Sequence, residues 1–279
     1  MTSDPLTAVP FLKGEGTGND FVILPDPEGK LDLTPAQVSA LCDRRFGIGG
    51  DGVLRVVESA NDADAARFAS DARWFMDYRN SDGSTAEMCG NGARVFGRYL
   101  VHAGLAKAGD VAFATRAGIV SANVPRDGDV SVDMGRARGL GDVQVSVSGR
   151  TWPAVGVAAP NPHAVVIDDV GPDLDVAPSV GPAGVFPHGA NVEFVQIVAD
   201  DRVRMRVHER GVGPTLSCGT GACAVAWVMM ERRSSVGDVW VEVPGGLLRV
   251  SRSEQGSMIL TGPAVLVAQG MIFEEWWRK

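Results

Sequence analysis

The chain writes one element twice. Around Cys89 it reads Met76-Asp77-Tyr78-Arg79-Asn80 and then Ala86-Glu87-Met88-Cys89-Gly90-Asn91-Gly92-Ala93. Around Cys218 it reads Met205-Arg206-Val207-His208-Glu209 and then Thr215-Leu216-Ser217-Cys218-Gly219-Thr220-Gly221-Ala222. The two Cys-Gly-x-Gly-Ala elements and the two methionines share an offset of 129 residues, and Asp110-Val111 with Gly118-Ile119-Val120 matches Asp238-Val239 with Gly246-Leu247-Leu248 at 128. Val132 and Gly135 match Ile259 and Gly262 at 127. Solenoid repeats run about 20 to 45 residues, so this period is the size of a domain. The chain is therefore expected to form two similar domains, residues 1–133 and 134–264, with the tail from about 265 to 279 packing back on the first. Both Cys-Gly-x-Gly elements are expected to meet at one cleft between them. A duplicated fold whose glycine turns serve backbone geometry alone explains the glycines but not the paired cysteines.

Local patterning supports one architecture for each half. Arg73 to Tyr78, Val111 to Thr115, Ile119 to Val124 and Val130 to Asp133 read as short strands separated by turn residues. After each cysteine the period changes: Ala93, Val95, Phe96, Tyr99 and Leu100 have helical spacing, as do Ala222, Cys223, Ala224, Trp227 and Val228. Thr34-Pro35 starts a further helix as N-cap and first-turn proline, with Val38, Leu41 and Cys42 on its apolar face. The expected class is α+β, each half a mainly antiparallel sheet wrapped around a long central helix.

Composition narrows the partners. With 45% hydrophobic and 22% charged residues in 279, the chain can bury a core. A net charge of -8 leaves no basic footprint for nucleic acid. The longest apolar stretch, Ala222 to Met230, is nine residues and ends at Glu231, against about 20 for a membrane span. Met1 to Pro10 has neither the basic nor the apolar region of a secretory signal. The expectation is a cytoplasmic protein with no nucleic-acid or membrane partner and a small-molecule substrate. A homodimer is left open. The four cysteines are too sparse for a disulfide framework and none forms Cys-x-x-Cys; Cys42 and Cys223 read as core thiols, whereas Cys89 and Cys218 do not.

A cysteine at a helix start sits against unpaired backbone N–H groups and the positive end of the helix dipole, which stabilises its thiolate and lowers its pKa. The glycines that follow let an anion approach those N–H groups. Two such sites acting on one ligand clamp a carboxylate and place one sulfur on each face of the neighbouring carbon. That suits removal of a proton α to a carboxylate on one face and its return on the other, with thiolate and thiol exchanging roles. The developing charge is held by the two helix starts. No phosphate-loop, His-Glu-x-x-His or zinc-spaced motif competes.

Six elements then carry a resemblance: Gly18-Asn19-Asp20-Phe21; Arg45 to Gly52; Asn80 to Gly92; Asn161-Pro162-His163; Gly189-Ala190-Asn191-Val192-Glu193-Phe194; and Glu209-Arg210-Gly211-Val212-Gly213 running into Cys218-Gly219-Thr220-Gly221. In this order they resemble the diaminopimelate epimerase family over nearly the whole chain. The resemblance implies a cofactor-independent isomerase, using no metal and no pyridoxal phosphate, that converts LL- to meso-2,6-diaminopimelate in lysine and cell-wall precursor biosynthesis. It implies that Cys89 and Cys218 are the two bases, and that Gly90, Asn91, Gly219 and Thr220 hold the reacting carboxylate. It assigns Asn19, Asn80, Asn161, Asn191, Glu209 and Arg210 to the substrate, and His163 and Glu209 to tuning the cysteine pair. Arg210 offers a donor fork for a second carboxylate, and the asparagines offer both donors and acceptors to a zwitterion.

The chain departs from the family pattern at four places. Pro214 stands where a glutamate is common, removing an acid and a backbone N–H four residues before Cys218. Gly52 stands where some members carry a substrate-touching glutamine, and Glu15 and Thr17 replace the usual His and Leu. Two other readings use the same cysteines: a racemase or dehydratase for proline-type substrates, which does not require the asparagine and arginine set, and a thiol-redox or binding protein in which Cys89 and Cys218 form a switchable disulfide.

Overall fold

The computed structural model describes residues 8–168, 171–233 and 237–278. The segment through Thr7 and the final Lys279, on which part of the sequence reading drew, lie outside the described residues. The chain divides into two compact units, one running to Val130 and resuming at Ala264, the other Ser131–Pro263.

The first unit contains, in order, β1 (Ala8–Gly16), β2 (Asn19–Pro25), α1 (Pro35–Cys42), β3 (Gly52–Glu58), β4 (Trp74–Asn80), α2 (Gly90–His102), β5 (Gly109–Thr115) and β6 (Gly118–Val124). The second contains β7 (Val130–Arg136), which begins at the boundary, then β8 (Arg138–Val147), β9 (Arg150–Ala159), β10 (Asn161–Ile167), β11 (Ser179–Gly181), β12 (Asn191–Ala199), β13 (Arg202–Glu209), β14 (Gly213–Thr215), α3 (Gly219–Arg233), β15 (Val239–Val243), β16 (Gly246–Arg252) and β17 (Ser257–Gly262). The chain then returns to the first unit as β18 (Val265–Phe273) and α4 (Glu274–Trp277).

The duplication holds strand by strand. In the first unit the sheet runs β18-β1-β2-β3-β4-β5-β6, parallel at β2/β3 and β4/β5 and antiparallel elsewhere. In the second it runs β8-β9-β10-β12-β13-β15-β16, parallel at β10/β12 and β13/β15 and antiparallel elsewhere. Phe21 lies opposite Gly52, as His163 lies opposite Asn191, and Val53 opposite Arg79, as Val192 lies opposite His208. The strands follow from period-2 patterning: Val203, Met205 and Val207 of β13 are buried while Arg202, Arg204 and Arg206 point outward. Each long helix lies inside its own sheet. Helix α2 is buried at every position from Gly90 to Gly97 and touches six strands of the first unit; α3 is buried from Gly219 to Ala226 and touches six of the second. The class is α+β.

Helix α1 begins at a capping box, with the Thr34 hydroxyl accepting from the Gln37 N–H and the Gln37 side chain accepting from the Thr34 N–H. Its buried Val38, Leu41 and Cys42 join a cluster with Val22, Leu24 and Val53, against which Trp276 and Trp277 pack. Burial raises the Cys42 thiol pKa to about 11, the behaviour of an inert core thiol.

The first unit also holds a buried ion network. Asp77, with a fully buried side chain, accepts from Arg79 and Arg116 and pairs with Arg55. Burial alone pushes its carboxyl up, but the hydrogen bonds from Arg79 and Arg116 outweigh it and hold the pKa below the usual carboxylate value. Asp77→Ala takes from Arg79 its paired carboxylate, while Arg55 keeps Asp26 and Asp62 and Arg116 keeps Asp64, and is expected to cost about 3 kcal/mol in urea unfolding. Because the folded pKa is depressed, the stabilisation is complete above the unfolded-state value of about 4 and is lost as pH falls below it.

Candidate active site

In the first unit, Cys89 is the N-cap of α2. Its backbone is extended, with φ -134° and ψ 121°, and its Sγ accepts from the Gly92 N–H at 3.4 Å while its carbonyl accepts from the Ala93 N–H at 2.8 Å. This is the place usually taken by Ser, Thr, Asp or Asn, so the fold gives to sulfur a position that favours negative charge. Asn19, at the start of β2, is oriented by Asp51: its Nδ2 donates to Asp51 Oδ2 at 2.8 Å. Its Oδ1 is thereby turned to Cys89 Sγ, at 3.7 Å, and to Asn91 Nδ2, at 3.3 Å. Arg44 in turn holds Asp51 at 2.8 Å. Asn19, Cys89, Gly90 and Asn91 thus form one group. Asn80, at the end of β4, is held in its own turn, donating to Ser84 Oγ at 3.0 Å.

The second unit repeats the arrangement. Cys218 Sγ accepts from the Gly221 N–H at 3.4 Å, and its carbonyl accepts from the Ala222 N–H at 2.9 Å. The Thr220 hydroxyl lies 3.4 Å from the sulfur. Asn191, at the start of β12, accepts from the Arg210 N–H at 2.9 Å. Glu209, at the end of β13, accepts from the Thr215 hydroxyl at 2.6 Å. Arg210 is exposed; its Nη1 donates to the carbonyls of His188 and Gly189, and among the described residues it makes no ion pair. Asn161 is exposed at the start of β10. His163, two residues on, is wholly buried and lies 2.7 Å from Glu193 through Nδ1 and Oε1.

One expectation is corrected. A helix start lowers a thiol's pKa, and the sequence reading applied this to both cysteines. At Cys218, burial and then the carboxylates of Glu209 and Glu193 push the pKa well above its ordinary value, outweighing the bonds from Thr220 and the Gly221 N–H. Cys218 is the more buried sulfur, Cys89 the more exposed.

The departures also acquire a geometry. A Cβ at Gly52 would stand 2.5 Å from the Arg79 carbonyl oxygen and 2.8 Å from the Tyr78 ring, so no side chain fits there. Pro214 lies in β14 opposite His208, and Thr215 beside it still reaches Glu209. Glu15 accepts from the Gly18 N–H at 3.0 Å, closing the first glycine loop.

Asp51 and Glu193 were missed as members of the site. Glu193 carried a readable signal, because a carboxylate among Val192, Phe194 and Val195 is out of place in a buried strand. Among the described residues no cluster able to hold a metal ion occurs, and no helix is long and apolar enough to cross a membrane. A cavity of about 710 Å³ in the second unit, bordered by Asp142, Gln144, Pro153 and Arg232, includes none of the residues above.

Comparison with known proteins gives a consistent match. The family model described as diaminopimelate epimerase matches residues 11–140 and 154–267. The diaminopimelate epimerase of Streptomyces coelicolor is 54% identical over 283 residues, covering 97% of each chain. That of Rhodococcus erythropolis is 45% identical over 293 residues, covering 98% of this chain and 99% of its own. Among solved structures, a hydroxyproline epimerase from Agrobacterium vitis aligns with a TM-score of 0.67 at 15% identity, covering 96% of this chain and 93% of its own. A PhzF-family phenazine biosynthesis protein of Bacillus anthracis aligns at 0.66 and 14%, covering 96% and 100%. At such identity these two share the fold.

Proposed function

This chain belongs to the diaminopimelate epimerase family, and from that premise we propose that it interconverts LL- and meso-2,6-diaminopimelate with Cys89 and Cys218 as its two bases. The observation that carries the reading is the paired cysteine at a helix start, each sulfur accepting from the N–H three residues on, at the same place in both halves of the duplication.

In this reading one cysteine is thiolate and the other thiol. The thiolate takes the α-proton from one face of the carbon, and the thiol gives its own proton to the other face; the reverse reaction exchanges the roles. The α-proton is very weakly acidic, so negative charge that develops on the carboxylate must be met by fixed donors. The first-turn N–H groups after Cys89 and Cys218, with Gly90, Asn91, Gly219 and Thr220, supply them. Asn19, Asn80, Asn161, Asn191 and Glu209 hold the polar ends of the substrate, and Arg210 takes the distal carboxylate. His163 and Glu209 tune the Cys218 side. The exposed guanidinium of Arg210 favours a substrate with two zwitterionic ends over a proline-type one.

Purified protein incubated with LL-diaminopimelate and no added cofactor is expected to yield an LL/meso mixture on chiral chromatography. Meso should be in excess, because either of the equivalent centres of LL gives the same product. Failure to invert either centre contradicts the proposal.

The reaction is assigned to the cytoplasm, within lysine and cell-wall precursor biosynthesis. A homodimer is supported by β18, which leaves Val267, Met271 and Phe273 exposed at 60%, 56% and 77%. Met271→Lys combined with Phe273→Glu is expected to halve the mass seen in light scattering; an unchanged mass removes β18 from the interface.

A further inference from the structure

Glu193 and His163 are buried at 0% side-chain exposure and bonded to each other at 2.7 Å, and among the described residues neither Glu193 Oε2 nor His163 Nε2 finds a hydrogen-bond partner. Such a pair is expensive to bury. The duplication provides an internal control. The register that aligns His163 and Asn191 with Phe21 and Gly52 places Leu54 where the second unit has Glu193. In the first unit, a Cβ at Gly92 would stand 3.3 Å from Leu54 Cδ2 and 3.5 Å from Phe21 Cζ; in the second, a Cβ at Gly221 would stand 2.7 Å from Glu193 Oε1. The helix seat under Cys89 is thus hydrocarbon, and the same seat under Cys218 is a carboxylate bonded to an imidazole. Helix packing does not require the polar pair.

We propose that Glu193 is a positioning residue of the epimerase reaction: seated under the first turn of α3, it fixes the His163 ring and makes Cys218 the member of the cysteine pair that carries the proton in the substrate-free enzyme. This rests on the epimerase reading above. The groups that face Cys218 are Glu193 from β12, Glu209 from β13 and Thr220 from its own helix, with His163 from β10 bonded to Glu193. The inward residues of β15 and β16, Val241, Leu248 and Val250, bring no charge. Burial and the two carboxylates act in the same direction on the Cys218 thiol. With the single proton of the pair on Cys218, the epimer that presents its α-hydrogen to Cys89 reacts directly, and the epimer that presents it to Cys218 reacts only after the proton has moved to Cys89.

The test uses Glu193→Gln, which keeps shape and hydrogen bonding, and Glu193→Leu, which copies the first unit. Iodoacetamide labelling of Cys218, read by peptide mass mapping across pH, is the direct readout, with thermal melting to establish folding. The midpoint for Cys218 labelling is expected to move to lower pH in both variants. With diaminopimelate, kcat is expected to fall about tenfold or more while KM stays within about twofold, and the acid side of the pH–rate profile to shift. An unchanged Cys218 labelling midpoint in folded Glu193→Gln or Glu193→Leu overturns the proposal, whatever happens to activity. Failure of the parent protein to epimerise strikes instead at the epimerase reading, since the labelling does not depend on it.

Discussion

Replacing either Cys89 or Cys218 by alanine is expected to lower the kcat for epimerisation by about a thousandfold or more, because inversion needs a proton acceptor on one face and a donor on the other. The loss should not come from unfolding. Each sulfur accepts one N–H at a helix start, and loss of such a cap costs about 1 kcal/mol, which leaves a domain-sized unit folded. Cys42→Ala and Cys223→Ala serve as controls, since both thiols lie in the core, at 5% and 0% exposure. They are expected to lower the melting temperature without lowering kcat. Steady-state kinetics with LL-diaminopimelate separates these outcomes, and full activity in either Cys89→Ala or Cys218→Ala removes the two-base mechanism.

The second large effect is expected at Arg210. Its backbone N–H is held by Asn191 and its Nη1 by the His188 and Gly189 carbonyls, while the side chain stays exposed. Under the proposed function this guanidinium receives the distal carboxylate of the substrate, for which a planar fork is suited. Arg210→Lys keeps the charge and loses the fork. A hydrogen bond to a charged group contributes about 1.5–3 kcal/mol, so kcat/KM for diaminopimelate is expected to fall at least about tenfold, mostly through KM. Cys89 and Cys218 should keep their labelling behaviour. The mutant should also discriminate less against amino acids that lack a distal carboxylate. Unchanged kinetics overturns the distal-end assignment.

Much of the architecture could be read from pattern because it is local. The alternation in β6 and β7, the helical spacing after each cysteine and the Thr34-Pro35 cap all act within a few residues, and the structure contains each. The repeat added what local pattern lacks: matching spacings in both halves imply matching strand order. Other features depend on partners far away in sequence. Glu193 meets His163 across 30 residues and Asp51 meets Asn19 across 32; both contacts follow from parallel pairing, of β10 with β12 and of β2 with β3. Hydrophobic patterning does not specify that register.

The Cys218 thiol shows the same limit most clearly. Its helix start is written in the sequence and favours thiolate, whereas burial and the approach of Glu209 and Glu193, which favour thiol, exist only once the sheet has formed. At Gly52 the absence of a side chain reads as a lost contact in the sequence. The structure shows the Arg79 carbonyl and the Tyr78 ring already filling that space.

The central claim, that two thiols act on opposite faces of one carbon, is tested most directly by following α-hydrogen exchange during turnover of LL-diaminopimelate in deuterium oxide. The thiol that delivers the proton carries solvent deuterium, so the first meso product formed is expected to hold deuterium at its inverted centre. The unreacted LL substrate should keep its protium at early times, because the proton taken by the opposite thiol is not returned to the same face. Inverted product that retains the substrate's own proton, or early deuterium in the LL substrate equal to that in the product, contradicts the two-base account.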